Sequence, residues 1–279
     1  MIELSGETRI FPIVGDPIAQ VRSPKFLTEI MEAKGINGIV PPLQVKPENI
    51  EQFFSTIRQT QNIDGLVVTL PHKTAALNFC EQVTDRAAII GSVNITRRLS
   101  DGRFVGDNTD GEAYVTAVRN CGGEPEGKRV LQIGVGGAGS AVAYEFAAQG
   151  AAELHLFDLD QERLDLTVSK LNAQFPGRVF KAESNDPTGM DIVANVTPVG
   201  MRESDPTPVP ADKLTADMFY ADAITKPAIT ALGAAARALG CKASAGADMF
   251  DAQALKLVEF MTDSEADFLE RFNQQCGAQ

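Results

Sequence analysis

The sequence predicts an α/β protein with two domains. Three observations lead there. Apolar runs of strand length alternate with amphipathic helical stretches along most of the chain. A glycine-rich turn, Gly134-Val135-Gly136-Gly137-Ala138-Gly139, lies between a short apolar strand and an alanine-rich helix. At 279 residues the chain is long enough for two modest domains or one large one.

Arg9 to Val14 reads as the first strand, and Gly15-Asp16-Pro17 turns the chain. Ser23-Pro24 starts a helix, with Ser as N-cap and Pro at the first helical position. Phe26, Leu27, Ile30 and Met31 continue its apolar face, and Gly35 ends it. A strand from Ile39 to Val45 and a helix from Pro47 to Arg58 follow. Gly65 to Leu70 is a buried-type strand broken by Pro71, with a helix from Lys73 behind it. Ser92 to Arg98 and Phe104 to Val105 form a hairpin over Ser100-Asp101-Gly102. Asn108-Thr109-Asp110-Gly111 opens a helix that reaches Asn120. A linker rich in Gly, Glu and Pro, Gly122 to Gly127, precedes the next strand.

Val130 to Ile133 runs into the glycine turn. The turn opens a helix from about Ser140 to Gln149, which Gly150 stops, and Leu154 to Asp158 is a strand ending on an acid. That is the order of a Rossmann-type nucleotide-binding βαβ unit. Gly134 allows the tight turn. Gly136, followed by Gly137 and Ala138, lets backbone N–H groups approach a pyrophosphate, and Gly139 lets the helix pack closely on the strand. The positive end of the helix faces the phosphates. Asp158, nineteen residues after Gly139, can accept bonds from the adenosine ribose hydroxyls and would repel a 2′-phosphate. Leu159 and Asp160 add no cation, and Arg163 falls on the following helix, so the cofactor is read as NAD. The bland alternative is a glycine-rich turn in an ordinary α/β domain. A helix (Gln161 to Ala173), strands at Arg178 to Lys181, Asp191 to Asn195 and Met218 to Ala221, and an Ala-rich helix to Leu239 follow. Gly246 opens the last long helix, and an amphipathic helical tail starts at Ser264.

A formal net charge of −12 argues against nucleic acid and anionic membrane as main partners. Met1 to Glu7 lacks the features of a secretory signal, and no apolar run is long enough to span a bilayer, so a cytoplasmic location is expected. Cys80, Cys121, Cys241 and Cys276 show no CxxC spacing and read as reduced thiols. With only His72 and His155 besides, no metal site is expected.

Seven short signatures stand in order. They are Gly15-Asp16-Pro17-Ile18 with Ser23-Pro24, then Thr69-Leu70-Pro71-His72-Lys73, Gly91-Ser92-Val93-Asn94 and Asn108-Thr109-Asp110-Gly111. The glycine turn, Asn195-Val196-Thr197-Pro198-Val199-Gly200-Met201, and Gly246 with Met249 and Gln253 complete the set. In these the chain resembles the shikimate/quinate dehydrogenase family over essentially its full length. The resemblance implies a substrate domain over 1–109, completed by 246–279, and a Rossmann domain over 110–245, with the active site in the cleft. It implies hydride exchange between a nicotinamide and a small cyclic hydroxy acid. By that likeness Lys73 and Asp110 are the catalytic pair. Thr69, Asn94 and Gln253 contact ring hydroxyls, and Ser23 helps hold the carboxylate. Asn195, Thr197, Pro198, Met201 and Gly246 belong to the nicotinamide end, either touching the ring or shaping the turn beneath it. A monomer or homodimer is expected.

The chemistry agrees. Alcohol oxidation releases a proton as well as a hydride, and an amine near the reacting oxygen can carry it. A carboxylate beside that amine orients it and favours its charged form, which suits proton delivery to a ketone. Bland readings stand beside each assignment. Lys73 fits a solvated helix end, Asp110 a helix cap, Asn94 a strand-backbone partner and Gln253 a polar helix face. His72 is read as supporting at most.

The pattern departs from the family at four points. The usual Ser-x-Ser-Pro clamp is Val21-Arg22-Ser23-Pro24, with Arg22 either replacing the lost hydroxyl or facing water. The Asn two residues before Thr69 is Val67. The usual Tyr-x-Pro is Thr225-Lys226-Pro227, and the NADP-type Asn-Arg-Thr is Asp158-Leu159-Asp160. Each lost hydrogen bond weakens binding by about 0.5–1.5 kcal/mol. The reading is therefore an NAD-dependent dehydrogenase of shikimate, quinate or a close analogue. Its alternatives are a dehydrogenase of an amino- or deoxy-shikimate, a catalytically weak NAD-binding regulator, and methylene-tetrahydrofolate dehydrogenase-like chemistry.

Overall fold

The computed structural model describes residues 4–277. They form two compact units, one holding the chain up to Thr109 and again from Ala254, the other Asp110–Gln253. The return crossing falls inside the last long helix, after Gln253, and not at the Gly246 start of that helix.

In the first unit the chain runs β1 (Arg9–Ile10), β2 (Ile13–Gly15), α1 (Ser23–Ala33), β3 (Gly38–Ile39), β4 (Pro42–Gln44) and α2 (Ile50–Gln59). It continues with β5 (Gly65–Val68), α3 (Lys73–Phe79), β6 (Gln82–Val83), α4 (Asp85–Ile90), β7 (Ile95–Arg98) and β8 (Phe104–Asp107). Two strands expected as continuous are each split where a proline removes a ladder donor. Pro12 separates β1 from β2, and Pro41 separates β3 from β4. The larger sheet has the order β4-β2-β5-β7-β8-β6, antiparallel at β5–β7 and β7–β8 and parallel elsewhere. The β7–β8 hairpin turns over Ser100–Gly102 as expected. Helix α4 was not anticipated; at six residues it is too short to show a period. Its ends are nonetheless specified, because Thr84 accepts from the Ala87 N–H and Gly91 closes the helix at φ +79°.

The second unit opens with α5 (Asp110–Asn120), β9 (Arg129–Ile133), α6 (Gly137–Ala148), β10 (Glu153–Phe157), α7 (Gln161–Gln174) and β11 (Val179–Lys181). Then come β12 (Ile192–Asn195), β13 (Phe219–Asp222), α8 (Ala231–Ala238), β14 (Lys242–Ser244) and α9 (Gly246–Thr262), whose later turns belong to the first unit together with α10 (Glu265–Gln274). The sheet is parallel throughout, in the order β11-β10-β9-β12-β13-β14. Numbered within the unit this is 3-2-1-4-5-6, the dinucleotide-binding order. Helix α6 begins three residues earlier than its composition suggested, directly on the glycine turn.

Each unit has its own core. One face of the first sheet packs Val14, Phe54, Leu66, Phe79 and Phe104, with Phe54 stacked on Phe79 at 4.6 Å. The other packs Phe11, Leu27, Met31 and Ile95 against Leu257 and Val258 of α9. In the second unit, α5 crosses α6 so closely that a Cβ on Gly111 would lie 2.1 Å from the Ala141 carbonyl oxygen. No described helix is long and apolar enough to cross a membrane.

Candidate functional site

In the first unit the backbone gathers Thr69, Lys73 and Asn94 at one end of the sheet. Thr69 N–H donates to the Val14 carbonyl at 2.9 Å, Val93 N–H to the Lys73 carbonyl at 2.9 Å, and Val68 N–H to the Asn94 carbonyl at 2.7 Å. Asn94 is buried, and its amide is held at both ends. Its Oδ1 accepts from Thr109 N–H at 3.0 Å, and its Nδ2 donates to Thr109 Oγ1 at 3.2 Å. The Thr109 segment is anchored in turn by Asp107. That buried carboxylate accepts from the Asn108 N–H at 2.7 Å and from Arg86 Nε at 2.8 Å, and it also takes the Thr84 hydroxyl. The Thr84–Arg86–Asp107 group escaped the sequence reading. Its only signal is a charged residue closing an apolar strand.

Ser23 is the first residue of α1, not its cap; the cap position is Arg22, which is exposed and makes no side-chain capping bond. This frees the Ser23 hydroxyl from the capping role expected of it. Val67 lies in the core cluster with Phe11 and Ile95, so its lost polarity is a matter of packing and not of an open pocket. His72 is 2 % exposed and its Nε2–H donates to the Val45 carbonyl at 2.7 Å, which keeps the ring occupied in the interior.

In the second unit, Gln253 Nε2 donates to Asp110 Oδ1 at 2.8 Å, bringing together two residues 143 positions apart. Asn195 shapes the turn that follows it. Its Oδ1 accepts from Thr197 N–H at 3.1 Å and from Thr197 Oγ1 at 2.7 Å, while its Nδ2 donates to the Val199 carbonyl at 3.2 Å and to Asp222 Oδ1 at 3.3 Å. Pro198 and Met201 in the same segment are exposed. Gly246 lies against backbone: a Cβ there would meet the Ile224 carbonyl at 2.4 Å. Asp222, which holds Asn195, was also missed from sequence.

The glycine turn fits a dinucleotide. Gly134 has φ +96°, and a Cβ on it would strike Thr197 Cγ2 at 2.6 Å, so the turn and the Asn195–Met201 segment are neighbours. Around Gly136 a Cβ would meet nothing within 4 Å, which leaves its backbone approachable, with Gly137 and Ala138 opening α6 behind it. Asp158 Oδ2 accepts from the Val135 N–H at 2.8 Å, and Oδ1 accepts from Asp160 N–H at 2.9 Å and Arg163 at 2.9 Å. Burial alone would push this carboxyl up. The two amides and the guanidinium outweigh it and hold the carboxyl below its ordinary range. Among the described residues no group of three or more His, Cys, Asp or Glu side chains is placed to hold a metal.

Residues 13–96 match the family described as the shikimate dehydrogenase substrate binding domain, a segment that includes Ser23, Thr69, Lys73 and Asn94. The chain is 32% identical over 269 residues to a shikimate dehydrogenase (NADP(+)) of Rubrobacter xylanophilus, covering 95% of this chain and 94% of that protein. This chain belongs to the shikimate/quinate dehydrogenase family. Two solved structures share its fold across the whole length. Shikimate 5-dehydrogenase from Listeria monocytogenes in complex with shikimate and NAD superposes with a TM-score of 0.86 at 25% identity, covering 96% of this chain and 97% of that one. Quinate dehydrogenase from Corynebacterium glutamicum in complex with NAD gives 0.84 at 26% identity, covering 96% and 99%. The family members compared are thus named as shikimate and quinate dehydrogenases, with NADP in one name and NAD in two complexes.

Proposed function

We propose that this shikimate dehydrogenase family member is NAD-dependent and interconverts shikimate and 3-dehydroshikimate, or acts on a close cyclic hydroxy acid such as quinate. The first unit supplies Ser23, Thr69, Lys73 and Asn94 for the substrate, and the second supplies Asp110 and Gln253 together with the cofactor residues. Asp158 carries the cofactor choice. Its ionised carboxylate lies at the end of β10, where ribose hydroxyls can donate to it and a 2′-phosphate would meet like charge.

The chemistry follows from residue types already placed. A bound nicotinamide supplies the hydride acceptor or donor. Lys73 carries the proton: as an ammonium it donates to the ketone oxygen, and in the alcohol-oxidising direction its amine takes that proton back. Asp110, oriented by Gln253, accepts from a ring hydroxyl. Thr69 and Asn94 add contacts to the ring, and Thr109 keeps the Asn94 amide from rotating. Ser23 and Arg22 meet the carboxylate. The valine at position 21 and the threonine at 225 remove a hydroxyl and a phenol relative to the family pattern, which weakens the hold on shikimate.

Initial rates with shikimate and quinate, each with NAD and with NADP, test this reading. Turnover that is faster with NAD supports it. A preference for NADP would overturn the role given to Asp158, and NAD binding without turnover on any cyclic acid would favour a regulatory protein. Asp158→Ala should lower kcat/KM with NAD and raise it with NADP, each by about tenfold. The gain arises because Arg163, now paired with Asp158 at 2.9 Å, is released to face the phosphate. An unchanged cofactor ratio in that variant would sink the assignment.

A further inference from the structure

Strand β9 lies in the interior of a parallel sheet, where both faces are covered and strands are ordinarily apolar. Gln132 breaks that rule. It is fully buried between Leu131 and Ile133. Its Nε2 donates to the Gly134 carbonyl at 2.8 Å and to the Gly139 carbonyl at 2.7 Å. One acceptor is at the exit of the strand and the other in the first turn of α6, so the amide bridges the two arms of the glycine turn. Those arms are at closest approach there, since a Cβ on Gly139 would lie 2.3 Å from the Gly134 oxygen. A reversed amide would set oxygen against two carbonyl oxygens, which fixes the orientation.

The bridge has a cost. Oriented this way, Gln132 Oε1 is buried with no hydrogen-bond partner. An orphaned acceptor destabilises a fold, and an apolar side chain of similar volume would avoid it. A local rule is broken at the one β9 position whose side chain bonds both arms of the turn. Such violations are characteristic of functional sites.

We infer that Gln132 is a positioning residue for the nicotinamide dinucleotide. It holds Gly134 and Gly139 at the separation at which the backbone N–H groups of Gly136, Gly137 and Ala138 meet the pyrophosphate. The inference rests on the reading that this turn holds the cofactor.

Gln132→Met keeps the volume and removes both donors. Titration of the whole protein with NAD and with NADP, steady-state kinetics and thermal unfolding are measured together. The expected result is a rise of about three- to tenfold in the cofactor Kd and KM, with kcat at saturating cofactor within about twofold of wild type and a melting temperature no lower. A purely structural role would lower affinity and melting temperature in step, and that outcome overturns the inference, as does unchanged affinity. Gln132→Glu adds a pH readout. When protonated its hydroxyl can donate to one carbonyl; when ionised its oxygens face both carbonyls. Cofactor affinity should therefore fall with rising pH more steeply than in wild type, and parallel profiles would count against the bridge. Wild-type protein that binds neither dinucleotide removes the cofactor reading and this assignment with it. Binding by wild type with no change in either variant removes the assignment alone.

Discussion

Lys73→Met should lower kcat for the oxidation of shikimate or quinate by about two to four orders of magnitude. The fold should tolerate the change, because the Lys73 carbonyl still accepts from Val93 N–H at 2.9 Å whatever the side chain. Cofactor binding should also survive, since the glycine turn, Asp158 and the Asn195 turn all belong to the other unit. The predicted signature is a large fall in kcat with an unchanged Kd for NAD and an unchanged circular dichroism spectrum. Gln253→Ala should cost less, about tenfold or under, because it removes one hydrogen bond that orients Asp110 and leaves the carboxylate itself in place. Turnover that persists in Lys73→Met would move proton transfer to another group. A loss in Gln253→Ala equal to that in Lys73→Met would make Gln253 more than an orienting partner.

Much of the architecture was legible because it rests on local chemistry. The glycine turn, the β7–β8 hairpin and the glycine at position 35 follow from turn and cap preferences, which act within a few residues. The strands broken at Pro12 and Pro41 were read as continuous because apolar runs of that length do resemble single strands. Strands β6 and β14, of two and three residues, carry too few side chains to show alternation. The candidate site divides in the same way. Lys73, Asp110, Asn94, Gln253 and the glycines announce themselves through motifs, whereas the bonds between them do not. Thr109 meets Asn94 across 15 residues and Gln253 meets Asp110 across 143, and only the fold makes them neighbours. Gln132 and Asp222 were passed over for a different reason. A polar residue in an apolar strand reads as a strand end or a solvent-facing position, and its true surroundings become visible only when the sheet is assembled.

Asp222→Ala should destabilise the protein by about 2–5 kcal/mol, from at least two buried donors losing their acceptor. The wild-type carboxylate is buried at the end of β13 and accepts from Tyr220 Oη at 2.7 Å, Thr230 Oγ1 at 2.7 Å, Ile224 N–H at 3.0 Å and Asn195 Nδ2 at 3.3 Å. An alanine methyl accepts from none of them, so the Ile224 N–H and the Asn195 amide are left without this acceptor in the interior. Because Asn195 is among the partners, the damage should extend to the Thr197–Val199 turn and raise the KM for the dinucleotide as well. The pH dependence has a definite sign. Burial pushes the Asp222 carboxyl up, outweighing the donors that pull it down. The folded protein therefore keeps this proton to higher pH than the unfolded chain does, with the Tyr220 and Thr230 hydroxyls free to turn and accept it. The stability contributed by that linkage is full at acid pH and declines as pH rises through the folded value, then levels off. Asp222→Ala lacks the titration, so the stability gap between wild type and variant should narrow from about pH 4 towards neutrality. Urea unfolding of both proteins across that range measures the gap. A gap that widens with pH would mean that the four donors win over burial and that Asp222 is held ionised in the folded state.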